Sequence, residues 1–482
     1  MTEPAYKEQI DAWVDAHKEE MIEDLSQLVR IPSMKGEALE GMPYGREPAR
    51  ALEAMSGLME RYGLKVTNYR NYCVTGDLPG QGEKALDILA HLDVVPVSDT
   101  WTKTQPFEPK VEGDRIYGRG TSDDKGPAIA ALYAMRAVRE LGFDLREGVR
   151  LICGSDEECG SSDLEYYYQF EKEAKYTFSP DADYPLINIE KGHLSKTFSK
   201  EGAIGASEEG KVCVVSLQGG DKSNVVPGRA SMVLAGTSAG ALACAARETE
   251  DETGAVFSCT DQEDGTVLVR VSGKTGHAAS PENGINCLTA SLAFLGRLDL
   301  ADREAERSLM AIAKLWPFGD HHGNALGVAY EDEQSGALTM TLDILSFSAP
   351  AGDPAYTIEG CFDSRAPMCA DDQNLTDKIR SRLAEEGFEM EEGGMVPAHC
   401  VSADSELVRR LLESYELYFG KKGEPVAIGG GTYVHHLERG VAFGCAVPEV
   451  DNRMHGDEEF MEIPMLVKSA KIFADAILRL CS

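Results

Sequence analysis

Five short segments of the 482-residue chain carry histidines and carboxylates in combinations that suit metal chemistry. His91 and Asp93 lie in "HLD", Asp123 and Asp124 in "SDDKG", and Glu157 and Glu158 in "GSDEECGSS". Asp181 and Asp183 lie in "SPDADYPL", and His455 in "MHGDEEF". An isolated acidic pair is ordinarily a solvated loop. A gathering of imidazoles and several carboxylates is different, because it is costly unless positive charge lies within it. Mixed His/carboxylate ligation suits Zn, with Mn or Co as alternatives, and the lack of cysteine disfavours a structural zinc site. One carboxylate more than a single ion needs points to two divalent ions sharing a bridging Asp. Such pairs sit about 3.5–4 Å apart and clamp a water.

The elements that must position these residues alternate. An amphipathic helix from Ile10 to Leu28 ends at Pro32, and a second covers Glu47 to Tyr62. "LDILAHLD" reads as a strand, "GPAIAALYAMRAVREL" as a helix, "GVRLICG" as a strand, "LEYYYQFEKE" as a helix and "KYTFSP" as a strand. This β-α-β rhythm predicts an α/β catalytic domain with a mostly parallel sheet and helices on both faces. Past Gly192 the pattern changes to antiparallel-type strands, such as "KVCVVSLQG" and "TVLVRVSG", with interspersed helices. Near Pro397 the first rhythm returns, with "VAFGCAVP" as a strand and a closing helix. The expected organisation is a catalytic domain over 1–191 and 396–482, interrupted by an α+β lid domain over 192–395. Open α/β sheets bind ligands beyond the carboxyl ends of their strands. Four strand ends and one helix start deliver the candidate ligands to that edge.

With 47 basic and 81 acidic residues the formal charge is −34, which argues against nucleic-acid binding. No run of about 18 apolar residues predicts a membrane span, and the N-terminus lacks the basic start and apolar stretch of a secretory signal. Twelve scattered cysteines without a C-x-x-C pair read as reduced thiols, so a cytoplasmic location is expected.

"HLDVVP", "GRGTSDDKGP", "DEECGSSD", "SPDADYPL", "KTGHAASP" and "MHGDEEF", in that order, resemble the two-metal peptidase clan of aminoacylases, carboxypeptidases and dipeptidases. The likeness is greatest to bacterial dipeptidases of the PepV type. The resemblance implies one ion on His91 and Asp181, a second on Glu158 and His455, and Asp123 bridging. It implies Asp93 as the partner of His91, Glu157 as general base, and a cis peptide bond after Asp123. His277 would stabilise the oxyanion, while Asn224, Arg365, Gly430 and Gly431 would hold substrate, Arg365 by its carboxylate. Asp183 could receive the substrate amine. The implied substrate is a dipeptide with both ends free, and the implied enzyme is a monomer, with a dimer as the alternative.

Competing readings stay open. An aminoacylase or carboxypeptidase of the same clan differs at the position of Asp181, where the resemblance associates Asp with dipeptidases and aminopeptidases. A non-catalytic binding relative is the other alternative. The pairs His435-His436 and His321-His322 read as a helical turn and a surface turn rather than ligands, and "GRGTSDDKG" lacks the spacing of a phosphate loop.

Overall fold

Every residue of the strand Lys84–His91 after its first is buried, so both faces of this strand are covered. That is the condition for parallel strands at the middle of a sheet. The computed structural model describes residues 4–205, 210–350 and 352–482. These fall into two compact units, one made of Met1–Ile189, His399–Ala427 and Gly431–Ser482, the other of Glu190–Ala398 and Ile428–Gly430.

The first unit is built on a nine-stranded sheet. Its strands are β1 (Lys65–Tyr69), β2 (Cys73–Leu78), β3 (Lys84–His91), β4 (Gly148–Gly154), β5 (Tyr176–Ser179), β6 (Ile187–Glu190), β7 (His399–Cys400), β8 (Val426–Ile428) and β9 (Gly440–Ala442). The order is β1-β2-β4-β3-β5-β9-β6-β7, with β8 also on β6. The centre is parallel, β4 to β3, β3 to β5 and β5 to β9, while β1, β2 and β6 pair antiparallel. Helix α1 (Lys125–Glu140) is buried from Lys125 through Val138, and it packs with α2 (Ile463–Cys481) over β3 and β4. A helix apolar on all sides belongs inside a core, and the side chains of both helices join the largest apolar cluster of this unit.

The second unit is an eight-stranded sheet whose pairings all run antiparallel. The helices Ala239–Thr253, Cys287–Leu295, Glu304–Leu315 and Asp377–Glu385 belong to it, and it has its own apolar core. A separate two-residue pairing joins Val225–Val226 to Gly276–His277.

Three elements differ from expectation. The first helix is two, Lys7–Ala16 and Lys18–Val29, because the His17 ring turns back to the Trp13 carbonyl and stacks on its indole. The helix expected over "LEYYYQFEKE" stops at Tyr167, and the chain turns so that Glu171 reaches Arg150. The strand expected over "VAFGCAVP" splits around Gly444, which sits at φ +80 against the Tyr184 ring, where a Cβ would collide. Only glycine adopts that conformation at so close an approach. The twelve cysteines form no disulfides, and among the described residues no helix is long and apolar enough to cross a membrane.

Candidate metal centre

In the register of β3 against β4, His91 is level with Gly154, and the Leu92 amide donates to the Gly154 carbonyl. Two neighbouring parallel strands therefore end together. One continues into Asp93 and the other into a short 3₁₀ turn, Glu157–Cys159. The buried Asp93 carboxylate accepts the backbone N–H groups of Glu157 and Glu158 at 3.3 and 3.1 Å. With three residues per turn, adjacent 3₁₀ side chains point about 120° apart. Glu157 accordingly joins His91 and Asp181, whereas Glu158 joins Asp123 and His455. Asp181 follows β5, and Asp123 precedes α1 across a cis peptide bond to Asp124.

Within each of these two groups the donor atoms lie within 4.8 Å of one another. His91 Nε2 is 3.0 Å from Asp123 Oδ1 and 3.5 Å from Asp181 Oδ2. His455 Nε2 is 2.9 Å from Asp123 Oδ2 and 3.3 Å from Glu158 Oε2. The two oxygens of Asp123 thus face the two imidazoles separately. Two donors each about 2.0–2.2 Å from one ion stand roughly 3–3.6 Å apart, which is the separation observed. His91 Nδ1 donates to the Asp93 carbonyl at 3.1 Å, which leaves a lone pair on Nε2. That nitrogen is buried and makes no aligned hydrogen bond. The donor set therefore fits cations seated between the side chains.

The electrostatics agree. Burial, with Asp181, Glu158 and Asp123 nearby, pushes the Glu157 carboxyl well above the usual range. Burial and Asp123 push Glu158 up to about 7, and burial raises Asp181 as well. Against its own burial, Asp123 is held low by His455 and His91. Asp123 and Glu158 raise His455 to about 11. The cluster thus lacks positive charge and draws protons to compensate.

The other expected residues gather elsewhere, in the second unit. Val225 pairs with His277, and the Ala278 amide donates to the Asn224 carbonyl at 3.0 Å. The Ala279 amide donates to His277 Nδ1 at 3.0 Å, so the neutral ring carries its proton on Nε2. Arg365 is gripped by Asp363 through Nε at 2.8 Å and Nη2 at 3.1 Å, and its Nη1 donates to the Gly429 carbonyl at 3.0 Å. Gly429 packs so closely on Ala279 that an added Cβ would fall 2.9 Å from the alanine methyl. Asn224, His277, Arg365 and the Gly429-Gly430 turn therefore form one neighbourhood, while Gly431 belongs to the first unit. His435 and His436 lie on a 3₁₀ turn and in neither donor group. Asp183 is half-buried and raised by burial and by Glu449.

Sequence reading missed Asp363, which also accepts from His193 at 2.8 Å. It missed Asp163 as well, which is fully buried and receives the amides of Ser155 and Asp156 and the Tyr433 hydroxyl. For Asp363 a signal existed, a charged pair in the otherwise apolar strand "CFDSRAP". For Asp163 there was none.

Residues 88–479 match the model of "Peptidase family M20/M25/M40". The chain is 34% identical over 469 residues to "Putative dipeptidase YtjP" of Bacillus subtilis (strain 168), covering 96% of this chain and 97% of that one. It is 30% identical over 472 residues to "Beta-Ala-Xaa dipeptidase" of Lactobacillus delbrueckii subsp. lactis, covering 97% of each. The fold is also that of human carnosine dipeptidase 1, with a TM-score of 0.59 at 15% identity over 99% of both chains. With that match across most of its length, the chain belongs to peptidase family M20/M25/M40.

Proposed function

We propose that the protein is a two-metal dipeptidase that hydrolyses the peptide bond of dipeptides with free amino and carboxyl ends. The observation that carries this reading is Asp123, whose two oxygens lie 3.0 and 2.9 Å from two imidazoles in separate donor groups. His91 and Asp181 would hold one ion, Glu158 and His455 the second, and Asp123 both. Zinc suits this donor set best, with manganese or cobalt as alternatives. When bound, the ions polarise the scissile carbonyl and make water more acidic.

Glu157, raised by burial, takes a proton from the attacking water and returns it to the leaving nitrogen. Asp93 fixes Glu157 and Glu158 through their amides and keeps the His91 lone pair directed at the centre. The Nε2–H of His277 is the donor for the developing oxyanion. Arg365, planar and held by Asp363, is the clamp for the substrate carboxylate, with Asn224 and the amides of Gly430 and Gly431 completing that end. Asp183 is the candidate for the amine end. The residues proposed to hold the substrate all come from this one chain, its inserted domain supplying Asn224 and Arg365, so we expect a monomer, and the absence of disulfides suits the cytoplasm.

The test is metal-stripped protein reloaded with zinc or manganese and assayed on dipeptides, tripeptides, C-terminally amidated dipeptides and N-acetyl amino acids. Hydrolysis confined to free dipeptides is expected. Preference for N-acetyl amino acids would instead establish the aminoacylase reading, against which Asp181 already counts.

A further inference from the structure

The acidic triplet after His455 has work of its own. Glu459 is fully buried, and all of its polar contacts run to the loop that carries Asp123. One oxygen accepts Arg119 Nη1 at 2.6 Å and the Gly120 amide at 3.0 Å. The other accepts the Ser122 amide at 2.9 Å and the Asp123 amide at 3.2 Å. Arg119 also donates to the Gly456 carbonyl at 3.0 Å, the residue directly after His455. Asn452 Nδ2 donates to the Ser122 hydroxyl at 2.9 Å, and the Gly118 amide to the Glu459 carbonyl at 3.0 Å.

The segment so held makes turns of its own, such as the Gly456 amide on the Arg453 carbonyl at 2.9 Å, but in strained backbone. Arg453, His455 and Glu458 have φ of +56, +61 and +63, a left-handed conformation that costs energy in non-glycine residues. His91 ends a strand of the sheet, and its amide is held by the buried Asp124 carboxylate at 3.0 Å, while Asp181 follows shortly after another strand.

We infer that Glu459, with Arg119, is a positioning residue that sets Asp123 against His455 and so completes the second metal site. The inference rests on the two-metal reading above. Buried carboxylates that fix ligand-bearing backbone act on metal affinity as supporting groups do elsewhere, by about 10–100-fold. Glu459→Asp keeps the charge and the Arg119 pair but is one methylene too short to reach both ends of the loop.

The experiment is a zinc titration of metal-stripped full-length protein by chelator competition, with thermal melting of the stripped form and steady-state kinetics at saturating zinc. The wild type should take two ions. Glu459→Asp should lose tenfold or more in one affinity and less in the other, since Asp123 would serve both ions. Its kcat should fall at least tenfold with KM within threefold. Glu458→Gln is the structural control: Glu458 holds the amides of Thr102 and Lys103 instead, so its loss should lower the melting temperature with zinc affinities unchanged. Should Glu459→Asp not fold, Arg119→Lys, which loses the Gly456 contact, should weaken the same ion. Two wild-type affinities in a folded Glu459→Asp or Arg119→Lys protein, or equal zinc loss in Glu458→Gln, would overturn the inference and leave the two-metal reading standing. A wild type that takes fewer than two ions would overturn both.

Discussion

The donor cluster of the first unit and the group around Arg365 in the second are built to different standards. Of the clustered side chains, His91 is wholly buried and Asp123 and Glu158 are nearly so. The backbone bearing them is held by other carboxylates: Asp93 takes the amides of both glutamates, and Asp163 those of the two residues before them. By contrast, His277 is exposed and stands on a pairing only two residues long. Arg365 is fixed by one buried carboxylate, Asp363, and by the Gly429 carbonyl. Bond-making chemistry tolerates little displacement, whereas recognition of a substrate's ends can be adjusted a residue at a time. Loss of activity should therefore be indifferent to substrate for the donor cluster and for His277, and dependent on substrate for Arg365.

The sharpest break should come at Glu157. Glu157→Ala is expected to lower kcat by about 10²–10⁴, the range for a general base, on every substrate. Bound zinc, counted by mass spectrometry of metals, should stay at the wild-type level, while Glu158→Ala should lose metal. Equal metal loss in both would erase the distinction between the neighbours. Next in size is His277→Ala, with kcat reduced by about 10²–10³, as for other oxyanion donors. Its zinc content should be unchanged, and a drop in metal would move His277 into the first region.

Arg365→Ala should cost about 2–5 kcal/mol, well over tenfold in kcat/KM on free dipeptides. On C-terminally amidated dipeptides, poor substrates from the start, the same change should matter little. An equal loss on both would show that Arg365 does not read a carboxylate. The smallest effect is in the pH profile. With Glu157 as base, kcat/KM should fall as pH drops, and burial, which raises that carboxyl, favours a limb above about 4.3. Arg365→Ala should leave that limb in place, because the guanidinium takes no part in the proton transfer. A profile flat through the carboxylate range would remove Glu157 from the role of base.

Much of this was visible in the sequence, for a local reason. His91, Asp93, Glu157, Glu158 and Asp181 each follow a short apolar run, and such runs become strands whose ends share an edge. What could not be read is what depends on distant partners. Glu459 lies 336 positions from the amide of Asp123 that it accepts, and nothing nearby marks it as more than surface acid. The break at His17 depends on one ring preferring a carbonyl, and the split at Gly444 on the Tyr184 ring beside it. Residues 206–209, in the stretch between the strands Gly192–Ala203 and Cys213–Gly219, lie outside the described residues.

The position of β9 has a consequence for synthesis. That strand pairs parallel to β5 on one side and antiparallel to β6 on the other, so it is wedged between two strands made long before it. At about 5–20 residues per second, ribosomes need roughly 13–50 s to pass from Ser179 to Gly440. Through that interval the strand Tyr176–Ser179, entirely buried when finished, presents a bare edge to the nascent chain's surroundings. The carboxylates Asp123 and Glu158, made in the first segment, likewise wait for His455. Each newly made molecule therefore passes through a stage that invites mispairing, and a circular permutant with the last segment translated first would shorten it.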